Sequence, residues 1–170
     1  MNPSFDFDAV DTFTVGAVGR PGQRTFLIQA RLGRERVTIK CEKQQAAAIA
    51  QYLRTVLSDL PPADERPLDS ALELVEPIDV AFVLGPVGLG YEREADRILV
   101  QLDELIPVDP DAQPDPDALD DRGRVRVLLT RGQVEAFCEQ TDRLMAAGRP
   151  PCRWCGFPLD PDGHLCPRMN

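Results

Sequence analysis

The sequence predicts an α+β fold made of two βββα units related by a pseudo-two-fold duplication, followed by a short tail of different character. Three observations predict it. Three strand-like runs lead into one helical run, the same order of elements returns in the second half, and the two halves match residue by residue.

An N-terminal arm, residues 1–11, precedes the first unit, residues 12–60. Strand character fills residues 12–18, 25–32 and 36–41. The breaks at Gly19-Arg20-Pro21-Gly22 and Gly33-Arg34-Glu35 carry the glycines and proline that tight hairpin loops need. Residues 42–60 then switch to helical spacing. Ile49, Tyr52, Leu53, Val56, Leu57 and Leu60 fall on one face, and Pro61-Pro62 stops the helix.

A proline-marked linker, residues 61–78, holds an ambiguous short segment at 71–76. The second unit, residues 79–147, has strands expected at 79–87, 97–105 and 124–129 and a helix at 131–147. Thr130 and Gln133 have capping-box spacing at that helix start. Gly16-Ala17-Val18-Gly19 parallels Gly85-Pro86-Val87-Gly88, and Phe26-Leu27-Ile28-Gln29 parallels Ile98-Leu99-Val100-Gln101. One constant offset carries Val37, Ile39, Gln45, Ile49 and Leu57 onto Val125, Val127, Gln133, Phe137 and Met145. Each unit alone lays one helix over three strands and buries its face poorly, so two copies are expected to combine about a pseudo-two-fold axis. The main departure is an acidic loop, residues 107–121, in the second copy.

The tail, residues 148–170, contains Cys152-Arg153-Trp154-Cys155-Gly156 and then Gly163-His164-Leu165-Cys166. Two cysteines separated by two residues converge their thiolates, and Gly156 lets the chain turn behind them. His164 and Cys166, two apart, project to one side of an extended segment and close a tetrahedron. We therefore expect a structural Zn2+ held by Cys152, Cys155, His164 and Cys166, in a saturated shell with no open position for substrate. The competing readings are a redox cysteine pair, which usually starts a helix and is not framed by proline and glycine, and an iron site.

Trp154 either packs the knuckle onto the body or anchors a partner, with Arg153 and Arg168 flanking the site to grip an acidic group or to stay solvated. Cys41 and Cys138 read as buried, inert thiols. The glycine-rich stretches at 16–22 and 85–90 read as hairpin turns; phosphate loops lead into helices, and these lead into strands. The carboxylates Asp109, Asp111, Asp115, Asp117, Asp120 and Asp121 lack the glycine and terminal glutamate of a calcium loop, so a solvated acidic loop is expected. No catalytic residue is assigned, because the one histidine is committed to metal and no nucleophile stands beside a base.

A net charge of −9 opposes a phosphate-backbone partner, whose binding draws on Lys and Arg. No run approaches the roughly 20 apolar residues that span a bilayer. With 43% apolar and 28% charged residues, the chain has the composition of a folded protein that forms its core without metal. The opening residues lack the basic start and apolar stretch of a secretory signal, so a cytoplasmic location is expected. Three of five cysteines crowd beside the only histidine, which suits metal binding in a reducing compartment and no disulfides.

Through its Gly-x-Val-Gly turns and its Cys-Arg-Trp-Cys-Gly and Gly-His-Leu-Cys-Pro-Arg-Met-Asn ending, nearly the whole chain resembles an uncharacterised actinobacterial family known by a domain-of-unknown-function label. The resemblance implies a bacterial cytoplasmic protein, often encoded near a phosphomutase-like protein, with no activity or site residues to carry over.

Three functional expectations follow. The leading one is a non-catalytic interaction or scaffold module with a protein partner. The second is a zinc protein of transcription or nucleic-acid handling, which requires Arg20, Arg24, Arg31, Arg34 and Arg36 to gather on one sheet face. The third is a small-molecule binder or enzyme working in a cleft between the units, where Arg24, Gln29, Arg93 and Gln101 meet. The sequence does not specify an oligomeric state.

Overall fold

A computed structural model describes residues 3–111, 117, 121–160 and 163–169. The fold is mixed α+β. Strands β1 (Ser4–Phe7), β2 (Thr12–Val18), β3 (Thr25–Leu32) and β4 (Glu35–Cys41) precede helix α1 (Lys43–Ser58). A short 3-10 turn, Asp69–Leu72, then leads to β5 (Val80–Glu92), β6 (Arg97–Glu104), β7 (Arg124–Leu129) and helix α2 (Arg131–Ala146). The seven strands form one sheet in the order β1-β7-β6-β5-β4-β3-β2.

The sheet must curl. β1 and β2 are its two edges, yet only residues 8–11 connect them. Five extended steps reach at most ~18 Å, whereas the edges of a flat seven-stranded sheet stand about 29 Å apart. The open side is closed by α2. Its Phe137 stacks on Phe13 of β2 with ring centroids 4.9 Å apart, and Gln133 Nε2 donates to the Val10 carbonyl at 2.7 Å. α1 lies beside α2, where the Arg54 guanidinium donates to the Cys138 carbonyl at 3.1 Å. The core inside the curl joins Phe13, Ile28, Ile39, Leu53, Phe82, Val100, Val127 and Phe137, all buried.

The arm thus contributes an edge strand. β1 pairs parallel with β7, and Phe7 stands opposite Val127. The alternation Phe5-Asp6-Phe7-Asp8 already has period two, and Phe7 is buried while Asp6 and Asp8 are exposed.

The stretch at 85–90, expected as a hairpin turn, lies within β5 instead. The first part of β5 pairs parallel with β4 and the last part antiparallel with β6, and the register slips between Leu84 and Val87. Gly85 belongs at this slip, since a Cβ there would stand 2.8 Å from the Leu105 backbone. The turn comes later, at residues 93–96, where Asp96 has a φ of +49°.

The linker does more than connect. It runs along α2, where Arg66 pairs with Glu139 at 2.5 Å, and then covers the outer face of β2 and β3. Thr14 Oγ1 donates to the Leu72 carbonyl at 2.6 Å, and Leu72 is buried. β3 is consequently buried on both faces over Phe26 to Ala30.

The two halves share pairings. β7 pairs parallel with β1 and antiparallel with β6, as β4 pairs parallel with β5 and antiparallel with β3. Phe7 faces Val127 and Phe82 faces Ile39, and Ile39 and Val127 are matched positions. Both helices open with a glutamine that accepts from a cap amide, Gln45 from Glu42 at 2.8 Å and Gln133 from Thr130 at 3.0 Å. The joining strands β4 and β5 are unlike and parallel.

Candidate metal centre

The tail folds back on itself through a few local contacts. The Cys152 amide donates to the Phe157 carbonyl at 2.7 Å, and the Gly156 amide donates to the Cys152 carbonyl at 2.8 Å. Gly156 adopts a φ of +76°, a left-handed conformation that glycine accepts without Cβ strain. Pro151 and Pro158 bridge antiparallel, so the first two cysteines sit on a tight knuckle.

The second ligand pair returns to that knuckle. The donor atoms of Cys152, Cys155, His164 and Cys166 all lie within 4.8 Å of one another. Cys152 Sγ and Cys166 Sγ are 3.9 Å apart, and Cys155 Sγ is 3.1 Å from His164 Nε2. Donors on a tetrahedron with metal–sulfur bonds of ~2.3 Å stand about 3.8 Å apart, so a metal ion fits the quartet with small adjustments. A disulfide does not: its sulfurs would be ~2.05 Å apart, and all five cysteines are free.

The knuckle also favours one thiolate. Backbone amides of Cys155 and Trp154 hold the Cys152 thiol down to about 6, because a hydrogen bond to sulfur favours its charged form. Partial desolvation pushes Cys155 the other way. Cys152 and Cys166 are buried and Cys155 and His164 half-buried, so the quartet forms the interior of an otherwise coreless tail.

A family model matches residues 5–166, ending on the last of the four ligands. The chain belongs to that family, described as a protein of unknown function (DUF3090). No curated protein and no solved structure matches it. The DUF3090 match spans the curled sheet, both helices and the metal quartet, so body and tail belong to one family unit.

Arg153 lies over the Trp154 ring at 4.9 Å from its centroid, and Trp154, Arg153 and Arg168 are exposed. Cys41 and Cys138 are buried, and burial pushes their thiols up to about 12 and about 11. Among the described residues of the acidic loop, Asp109, Asp111 and Asp121 are exposed; Asp115 and Asp120 lie outside the described residues.

Arg24, Gln29, Arg93 and Gln101 are not brought together. Gln29 is buried and bonds Thr38 and both backbone groups of Val75, pinning the linker to the sheet. Gln101, on β6 three strands away, bonds Asp103 instead. Arg24 donates to the Ala147 carbonyl at 2.7 Å, and Arg93 lies exposed in the β5–β6 turn.

The arginine groove is also not assembled. Arg31 and Arg36 donate to the Ala71 and Glu76 carbonyls of the linker, while Arg20 and Arg34 sit on turns at opposite ends of β3. Sequence reasoning missed this role because the linker carbonyls that draw the guanidiniums lie about 40 residues downstream.

Proposed function

We propose that this chain is a non-catalytic, cytoplasmic interaction module in which a structural zinc ion fastens a C-terminal docking face for a protein partner. The observation that carries the reading is the concentration of exposed apolar side chains around the metal quartet. Trp154, Phe157, Leu165 and Met169 are 53%, 60%, 89% and 68% exposed within sixteen residues. A tail of this length has no core to hold these side chains in place, and a metal held by four protein donors supplies the fixed frame. Aromatic anchors with arginine beside them are the side chains that dominate protein interfaces.

The donor chemistry supports zinc. Three sulfurs and one imidazole suit a tetrahedral, redox-inert ion and leave no position for substrate. Free cysteines throughout the chain accord with a reducing compartment. Among the described residues, no helix is long and apolar enough to cross a membrane.

Metal analysis of the purified chain, followed by capture from native lysate with wild type and a Trp154→Ala/Phe157→Ala variant, tests the reading. We expect one zinc per chain and a stoichiometric partner held by the wild type and lost by the variant. Equal capture by both, or no stoichiometric partner at all, argues against the docking face.

A further inference from the structure

The two ends of the helix pair carry similarly placed hollows, one lined by charges of both signs and the other by cations. The first, about 360 Å³, is lined by Asp96, Arg131 and the linker residues Ala63, Asp64 and Glu65 that follow α1. The second, about 190 Å³, is lined by Gly22, Arg24, Phe26, Lys43, Gly148 and Arg149. Arg131 and Lys43 are the first residues of their helices, and Asp96 and Arg24 directly precede β6 and β3. In the first hollow the Asp96 carboxylate reaches the Arg131 guanidinium at 3.0 Å and completes the site from within. In the second the corresponding hairpin residue is itself a cation.

We propose that this second hollow binds an external anion, a single phosphate group, in the place that the Asp96 carboxylate takes in the first. Lys43 Nζ and the Arg24 guanidinium both lie within 4 Å of one point beside Gly148, where a Cβ would stand. Arg149 also lines the hollow, its side chain 3.3 Å from where a Cβ of Gly22 would stand. Three cations from three separate segments converge here in a chain of net charge −9, and among the described residues no carboxylate lines the hollow. Neither Lys43 nor Arg24 has an ion-pair partner among the described residues; Arg24 donates to the Ala147 carbonyl, and Arg149 pairs with Asp160.

With Asp160 counted, the local charge is two positive, which matches a dianionic phosphate better than a monoanionic carboxylate. Guanidinium and ammonium donors give the charge-assisted bonds that such an oxyanion takes. The hollow is smaller than the roughly 300–1,000 Å³ that holds a cofactor-sized ligand, so it admits one phosphate group of inorganic phosphate or of a small phosphomonoester.

Calorimetry and amide NMR on the full chain, with inorganic phosphate, methyl phosphate and acetate at constant ionic strength, test the assignment. Saturable binding of inorganic phosphate with shifts at Gly22, Gly148 and Arg149 is expected. Equal binding of methyl phosphate points to a phosphomonoester, and its exclusion to free phosphate. Lys43→Gln, at an exposed position, should weaken phosphate by about tenfold, the scale of one lost charge-assisted bond. Arg24→Asp should abolish binding by supplying the carboxylate internally; if that variant does not fold, Lys43→Gln decides. Unsaturable shifts, acetate binding as tightly as phosphate, or an unchanged affinity in Lys43→Gln overturns the proposal.

Discussion

Phe7 stands opposite Val127 across the parallel pair formed by the first and last strands of the chain, and both are buried. This contact seals the edge of the curled sheet. Phe7→Ala is expected to cost about 3–5 kcal/mol, the usual penalty for removing a buried phenyl ring. Asp8→Ala, at an exposed neighbour, should stay within about 0.5 kcal/mol. Urea titrations of the two variants check this, and equal midpoints would mean that β1 contributes little to the body.

Removing metal should unfold the tail and spare the body. The hydrophobic cluster includes no residue beyond Met145, whereas the tail's buried side chains are its own cysteines. A chelator, or Cys152→Ser, is expected to collapse amide dispersion for residues 152–160 and 163–169 while leaving far-ultraviolet circular dichroism and the main urea transition in place. Loss of the main transition on chelation would show that the body depends on the metal.

The five cysteines should divide by environment. Burial disfavours the thiolate and pushes Cys41 to about 12 and Cys138 to about 11 from an ordinary 9.0. At pH 8 in the native, chelated protein, iodoacetamide should label Cys152, Cys155 and Cys166 and leave the other two until denaturant is added. The same shifts carry a sign for stability. A raised native value favours the folded state fully below about 9, and that contribution is lost as pH climbs through about 11–12. Mass spectrometry of labelled peptides and urea midpoints at pH 8 and pH 11 check both statements.

Gly132 tests the fit of the linker against α2. In an isolated helix Gly→Ala is favourable by about 1 kcal/mol. Here a Cβ would stand 1.8 Å from the Glu65 carbonyl oxygen, which is backbone and cannot rotate away. Gly132→Ala should therefore destabilise by about 1–3 kcal/mol, the scale of overpacking. A stabilised variant would show that residues 65–66 move freely away from the helix.

Local chemistry made much of this molecule legible in its sequence. Residues 12–18, 25–32 and 124–129 are short runs rich in β-branched and other apolar side chains, and β2, β3 and β7 occupy those spans. Thr130 and Gln133 are close enough in sequence for their spacing to specify the cap that forms, with the Gln133 amide donating to Thr130 Oγ1 at 3.1 Å. The metal quartet is legible for the same reason, since a two-residue knuckle and a short return bring Cys152, Cys155, His164 and Cys166 together without help from the body.

What only the tertiary structure decided depends on groups far apart in the chain. Whether residues 4–7 form a strand is decided by the free edge of β7, more than a hundred residues later, and whether Gly85 sits in a turn or a bulge by the approach of Leu105. Gln29 and Arg31 carry no mark that they fasten the linker, because their partners there are backbone groups, which look alike in every sequence. The hollow of Arg24, Lys43 and Arg149 is of this kind too. Side-chain type and spacing specify local turns, caps and metal knuckles, while the closing of a sheet specifies which distant charges become neighbours.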